Sequence, residues 1–328
     1  MTVLVTGGAG YIGSHTALAL LDAGEKVVVL DDLSTGFDFM IPEQATFVKG
    51  DIGDQDCVET IIKQYGITAV IHFASKIVVS ESVSQPLEYY ETNTSKSRNL
   101  IETVTRCDVK HFIFSSTAAV YGEPEKTPIR EDVYLSPINP YGRSKLMVEW
   151  MLADAAKVSG LGTVVLRYFN VAGADPAGRS GETTLPATHL VKLAARAALG
   201  KRDGLSVFGT DYATPDGSCV RDYVHVSDLA AAHVAALNHL RTGGENLTLN
   251  CGYGHGFSVL EVIEIVKRIS GNDFPVKHEE RRPGDPAALV ADGSKIQTLL
   301  GWEPQYDDLE AMANHALAWE KKLVARGL

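Results

Sequence analysis

Short apolar runs alternate with segments of helical spacing from the first residues onward. Residues 3–6 have the continuous apolar character of a strand buried on both faces. Ile12, Thr16, Ala17, Leu20 and Leu21 then fall on one helix face, and Gly24 sits where a helix would stop. The next strand is 27–30. Val58, Ile61, Ile62 and Tyr65 mark a second helix face closed by Gly66. Residues 69–74, 111–115 and 163–167 read as further strands. Residues 92–107 and 140–158 read as helices, the latter ending at Gly160.

Beyond Asn170 the rhythm changes. Residues 171–186 are rich in Gly, Pro and polar residues. Helices are expected over 188–199 and 226–240, and strands over 205–208, 247–250 and 289–291. Ser258 and Glu261 have capping-box spacing ahead of Ile263, Val266 and Ile269. A last helix is expected over 307–325. Strand–helix alternation of this kind predicts an α/β fold: a doubly wound parallel (Rossmann) sheet with a smaller C-terminal α/β lobe. Residues 1–169, joined by about 223–250, would form the sheet domain, and 170–222 with 251–328 the lobe.

Composition narrows the class. A chain of 328 residues, 45% hydrophobic and 22% charged, can bury a sizeable core. Thirty Lys and Arg against 41 Asp and Glu leave a net charge of −11, which disfavours nucleic acid as a partner. A few local arginines could still hold a small anion. No apolar run approaches the ~20 residues of a membrane span, so no membrane partner is expected. The opening MTVLVTGG has no basic stretch ahead of an apolar one, so no secretory leader is expected either. Cys57, Cys107, Cys219 and Cys251 form no CxxC pair. Free thiols in a reducing cytoplasm are expected, and no metal site.

Three motifs carry chemistry. TGGAGYIG places Gly7, Gly10 and Gly13 between a strand and a helix, and an acid, Asp31, ends the following strand. Glycines permit the tight turn and close approach to a pyrophosphate, and the helix N-terminus offers free N–H groups. Asp31 can accept from both adenosine ribose hydroxyls. With Asp32 beside it, a 2′-phosphate would meet two carboxylates, so NAD is favoured over NADP. Asp51 and Ile52 could hold the adenine or simply make a turn. Tyr141 and Lys145 lie one helical turn apart on one face, where Lys⁺ and a nicotinamide cation would stabilise a phenolate. The hydroxyl-rich SSTAAVYG, 115–122, follows a strand directly, where ligands sit in such sheets.

Together these motifs resemble the extended short-chain dehydrogenase/reductase family and, within it, the UDP-glucose 4-epimerases. The strings HFAS, PLEYYETN, LRYFNVAGA, FGTDYATPDGSCVRDYVHVSDLA and RRPGD extend the likeness over nearly the whole chain. The resemblance implies that Tyr141 is the base, Lys145 its electrostatic partner and a ribose ligand, and Thr117 the hydroxyl that orients the sugar. It implies cofactor contacts at Gly7, Gly10, Tyr11, Ile12, Asp31, Asp51, Ile52, Phe73, Ala74 and Ser75. Asn93 and Tyr168 would lie near the nicotinamide. It implies UDP-sugar contacts at Asn170, His189, Leu190, Val207, Phe208, Arg221, Arg282 and Asp285, the two arginines clamping the diphosphate. Leu289 would border the sugar where relatives with tyrosine exclude an N-acetyl group. Two positions depart from the pattern: Ile77 stands where relatives place lysine, so Lys76 either compensates or one contact is lost, and Val171 replaces a proline.

The implied reaction is reversible interconversion of UDP-glucose and UDP-galactose with bound NAD, and activity on N-acetylated UDP-hexosamines stays open beside it. UDP-glucuronate epimerases or decarboxylases, and a non-catalytic NAD sensor, stay open as alternatives. A 4,6-dehydratase is disfavoured because Ala118 and Ala119 cannot move protons. The family also implies a homodimer built on helices 92–107 and 140–158, with Leu146, Trp150 and Met151 adding apolar surface.

Overall fold

The computed structural model describes residues 1–328 except Leu185, Pro283 and Gly284. In chain order the first half runs β1 (Thr2–Thr6), α1 (Tyr11–Asp22), β2 (Lys26–Asp31), β3 (Thr46–Lys49), α2 (Gln55–Tyr65), β4 (Ile67–His72), α3 (Val79–Ser84), α4 (Pro86–Tyr89), α5 (Lys96–Arg106), β5 (His111–Thr117), α6 (Pro140–Ser159), β6 (Gly162–Tyr168) and β7 (Asn170–Ala172). The second half runs α7 (Leu190–Ala198), β8 (Leu205–Phe208), β9 (Val220–Arg221), β10 (Tyr223–His225), α8 (Val226–Arg241), β11 (Leu247–Cys251), β12 (Phe257–Ser258), α9 (Val259–Ser270), β13 (Val276–Glu279), β14 (Ala288–Leu289), α10 (Ser294–Leu300) and α11 (Leu309–Ala325).

Seven strands form one parallel sheet in the order β11-β6-β5-β4-β1-β2-β3. The order reverses between β1 and β4, which opens a crevice beyond their carboxyl ends. Strand alternation supplies two cores. Val3, Val5, Val29 and Ile71 face α1 and α8, whereas Leu4, Val28, Val70 and Phe112 face α2, α5 and α6. Ile296, Leu300 and Trp302 join the first cluster, so α10 rests on the sheet side although it lies within 251–328.

The lobe packs α7, α9 and α11 on one another and on the parallel pair β8–β13. A three-stranded patch, β12-β9-β14, joins its loops. The expected strand at 289–291 is shifted to Ala288–Leu289. The expected helix at 92–107 divides into a π-helical turn, Tyr90–Ser95, and α5. Among the described residues no helix is long and apolar enough to cross a membrane.

Candidate active site

The β1–α1 turn is shaped by what cannot fit there. Gly7 has φ +70°, and a Cβ would lie 2.6 Å from the Ala74 nitrogen, so the ends of β1 and β4 touch through bare backbone. At Gly13 a Cβ would stand 2.2 Å from the Gly7 carbonyl oxygen, which seats α1 directly on the turn. No side chain caps α1 at Gly10, so the first-turn N–H groups, those of Tyr11, Ile12 and Gly13, are left for an anion. This cradle fits a dinucleotide pyrophosphate. Asp31 ends β2 with its carboxylate oxygens accepting from the Ala9 and Leu33 nitrogens at 3.0 and 2.8 Å. Burial raises its pKa, those two N–H groups oppose the shift, and nearby Asp32 adds to it. Asp32 is exposed and accepts from the Ser34 nitrogen at 2.8 Å.

Asp51 makes the turn that its sequence also allowed. Its carboxylate accepts from the Gly53 nitrogen at 2.8 Å and pairs with Lys96. Ile52 is buried against α2 and β4. Phe73, Ala74 and Ser75 follow β4 beside the glycine turn. The Lys76 ammonium pairs with Glu81 and Glu88, and Ile77 is exposed. Asn93 clasps the Lys76 main chain at 2.8 and 2.9 Å and reaches the Ser144 hydroxyl at 3.1 Å.

The hydroxyl strand and the long helix meet over the sheet. Thr117 ends β5 and caps the short turn Ala118–Tyr121, accepting from the Ala119 nitrogen at 3.1 Å. Asn139 caps α6, Pro140 opens it and Gly160 closes it at φ 71°. Gly142 goes unremarked in the sequence, yet its absent Cβ would lie 2.6 Å from the Ala119 carbonyl oxygen. That contact brings Tyr141 against the Thr117 turn. Burial raises the Tyr141 phenol, and the Thr117 hydroxyl pulls it down. Of these two effects burial is the larger, so the net shift of Tyr141 in the protein alone is upward. Lys145 is buried, with its ammonium 3.5 Å from Ser75 Oγ and 4.5 Å from the centre of the Phe114 ring. Burial pushes it down to about 7, and Glu149 opposes that shift. Tyr168, opposite Thr117 in register, accepts from the Ser115 hydroxyl at 2.7 Å.

On the lobe side, Asn170 begins β7. His189 precedes Leu190 at the start of α7 and contacts Glu182 at 2.8 Å. Burial lowers its pKa, but Glu182 outweighs burial and the net shift is upward. Val207 is buried, and the Arg282 guanidinium lies 3.7 Å from the centre of the Phe208 ring. Arg221 pairs with Asp285 and donates to the Val220 and Pro286 carbonyls at 2.8 and 2.9 Å. Leu289 lies opposite Arg221 in register and packs toward Ala118, Leu146 and Phe169. Pro283 and Gly284 of the RRPGD string lie outside the described residues.

Residues 3–252 match the NAD dependent epimerase/dehydratase family. The chain belongs to that family. It is 55% identical to the UDP-glucose 4-epimerase of Azospirillum brasilense, over 98% of this chain and 92% of that protein. A crystal structure of UDP-glucose 4-epimerase from Brucella ovis in complex with NAD is 46% identical, with a TM-score of 0.94 over 97% of both chains. The UDP-Glc/GlcNAc 4-epimerase from Campylobacter jejuni is 47% identical, with a TM-score of 0.86 over 98% of this chain and 99% of that one.

Proposed function

We propose that the protein is an NAD-dependent isomerase that interconverts UDP-glucose and UDP-galactose. The observation that carries this reading is the meeting of Thr117, Tyr141 and Lys145 over β5, beside the glycine cradle at the sheet's switch point. Gly7, Gly10, Tyr11, Ile12 and Gly13 would hold the pyrophosphate of NAD, Asp31 its adenosine ribose and Lys145 its other ribose. Bound NAD supplies a reversible hydride acceptor for the sugar C4. Tyr141 takes the proton of the 4-hydroxyl while Thr117 holds that oxygen, and once the keto sugar has turned over Tyr141 returns the proton to the same oxygen, as the hydride would come back to the opposite face of C4. Arg221 and Arg282 keep the diphosphate in place while the 4-keto sugar turns over. Asp285 and two carbonyls hold the Arg221 fork flat for that task. Residues 1–169 with about 223–250 would carry the cofactor, and the lobe the UDP-sugar.

Incubating the purified protein with UDP-galactose, without added cofactor, and separating the products tests the reading. UDP-glucose should form, and denatured protein should release NAD. No conversion, or release of NADP, would count against it. The glucuronate and sensor readings are not favoured, because the relatives are named as 4-epimerases and the Tyr–Lys pair is intact.

We further infer a cytoplasmic homodimer. Val79, Val83 and Leu87 on α3–α4 and Met147 and Trp150 on α6 are exposed apolar residues on touching helices. Leu146 does not contribute as expected, since it is buried within the subunit, and Met151 packs partly inward. A dimer mass by light scattering at micromolar concentration is the expected result.

A further inference from the structure

Behind the Tyr141–Lys145 face, α6 carries a buried carboxylate that no step above uses. Glu149 follows Lys145 by one helical turn and Tyr141 by two, so the three share one face. Both its oxygens are occupied. Oε1 accepts from Ser116 Oγ at 2.5 Å and from Arg167 Nε at 3.1 Å. Oε2 accepts from Arg167 Nη2 at 2.6 Å and Nε at 3.2 Å. Ser116 and Arg167 are cross-strand partners, and each directly precedes a residue of the site, Thr117 on β5 and Tyr168 on β6. The remaining Arg167 nitrogen donates to Tyr121 Oη at 3.0 Å and to the Glu131 carbonyl at 3.4 Å. Tyr121 ends the turn that Thr117 caps, and it donates to Asn250 on β11 at 2.7 Å.

An ion pair as dry as this one, with both side chains 6% exposed, is a poor source of stability. Its two charges lose more hydration than an apolar pair of like volume would. Its geometry does something an apolar pair cannot. One carboxylate ties the helix that bears the base to both strands that bear Thr117 and Tyr168. A misplacement of about 1 Å in such a site can cost about 10²-fold in rate. Glu149 is also the negative charge that favours the charged form of Lys145. The other groups facing Lys145 are the neutral His72 from β4, the Phe114 ring from β5 and the Ser75 hydroxyl. Those facing Glu149 are Arg167, Ser116 and Lys145, with Tyr121 and Glu131 behind Arg167.

We propose that Glu149 is a positioning residue for proton transfer at Tyr141, clamping α6 to the strand residues beside Thr117 and Tyr168 and facing Lys145 with its charge. This rests on the epimerase reading. The test is the double variant Glu149→Leu/Arg167→Met, which leaves no unpaired buried charge, compared with Ser116→Ala, which removes one anchor only. Turnover of UDP-galactose, its KM, retained NAD and the pH dependence of kcat are measured. The double variant should lose about 10- to 100-fold in kcat with KM within about threefold, the pattern of lost transition-state alignment. The alkaline limb of its kcat profile should move to lower pH, because Lys145 loses its supporting charge. Ser116→Ala should lose kcat several-fold with its limb unmoved, and it carries the test if the double variant folds poorly. Unchanged kcat in the folded double variant, or in Ser116→Ala where the double variant does not fold, overturns the proposal, as does an unmoved limb in the double variant. If the unaltered protein turns over neither UDP-hexose, the proposed function itself fails, and this inference with it.

Discussion

At Tyr141 burial and the Thr117 hydroxyl act in opposite directions, and burial wins. A phenol so placed works as a base only when positive charge is brought beside it, which is the part we propose for Lys145 and the cofactor. Tyr141→Phe keeps the ring in its pocket and removes the proton acceptor. The expected loss in kcat is about 10²–10⁴-fold, with UDP binding by calorimetry nearly unchanged; a rate within a few-fold of the unaltered protein would mean that another base works. Leu289 illustrates specificity at the same scale. It stands half-buried between Arg221 and the cluster that contains Ala118. With leucine there, turnover of UDP-N-acetylglucosamine alongside UDP-glucose is expected. Leu289→Tyr should depress the acetylated reaction far more than the plain one, because added bulk meets only the larger substrate. Equal losses in a competition assay would assign Leu289 a purely structural part.

Among the elements, α6 has the most to reconcile. Its caps and proline start would make it a good helix anywhere, but Gly142 in its first turn works against helix formation by about 1 kcal/mol relative to alanine. The close approach to Ala119 explains why glycine stands there. In Gly142→Ala the propensity gain is opposed by a backbone clash, and overpacking of this kind costs about 1–3 kcal/mol. The clash should win. Calorimetry should record a lower Tm, and kcat should fall because the displaced turn carries Tyr141. A raised Tm with full activity would show that the turn yields freely. The π-helical turn at Tyr90–Ser95 is a second case, since it brings Asn93 onto the Lys76 main chain.

For the molecule as a whole, buried histidines set the response to acid. Burial pushes His72 and His225 down to about 3, and His15 and His233 down to about 4. His225 caps α8 by accepting from the Ser227 nitrogen, so its Nδ1 carries no proton and its Nε2–H donates to His315 on α11. Below about pH 6.5 the unfolded chain takes up protons at these four histidines while the folded chain does not. Stability therefore falls as pH drops from about 6.5 toward 4, by about 1.4 kcal/mol per pH unit for each fully displaced histidine. Asp222 acts in the opposite sense. Burial raises it to about 6 despite three main-chain N–H donors, so it stabilises the folded state as pH falls through 6. Asp31, which burial also raises, and His189, where burial is outweighed by Glu182, act in the same sense as Asp222, whereas burial lowers His111 and His315 too; six lowered histidines against these three groups leave a net loss. Urea midpoints measured from pH 7.5 to 4.5 should decline steadily, and a flat profile would contradict the burial of these rings.

The alternation of strands and helices, the glycine turn with Asp31, and the Tyr141–Lys145 spacing were all legible in the sequence, because each depends on residues close together in the chain. Apolar periodicity locates a doubly buried strand wherever it lies, but β3, largely exposed at the sheet edge, has no such pattern. The short strands β9, β12 and β14 exist only through pairing between distant segments, so no local signal delimits them. The same holds for the polar groups. Glu149 reads in isolation as one more charge on a helix, and Arg167 as an oddity in an apolar strand. Only when the tertiary structure closes over them do they become a buried pair, because a charge removed from water must find its partner in space and not in sequence. Lys76 shows the same: the sequence leaves its partner open, and the fold delivers two carboxylates, Glu81 and Glu88, that pair with it.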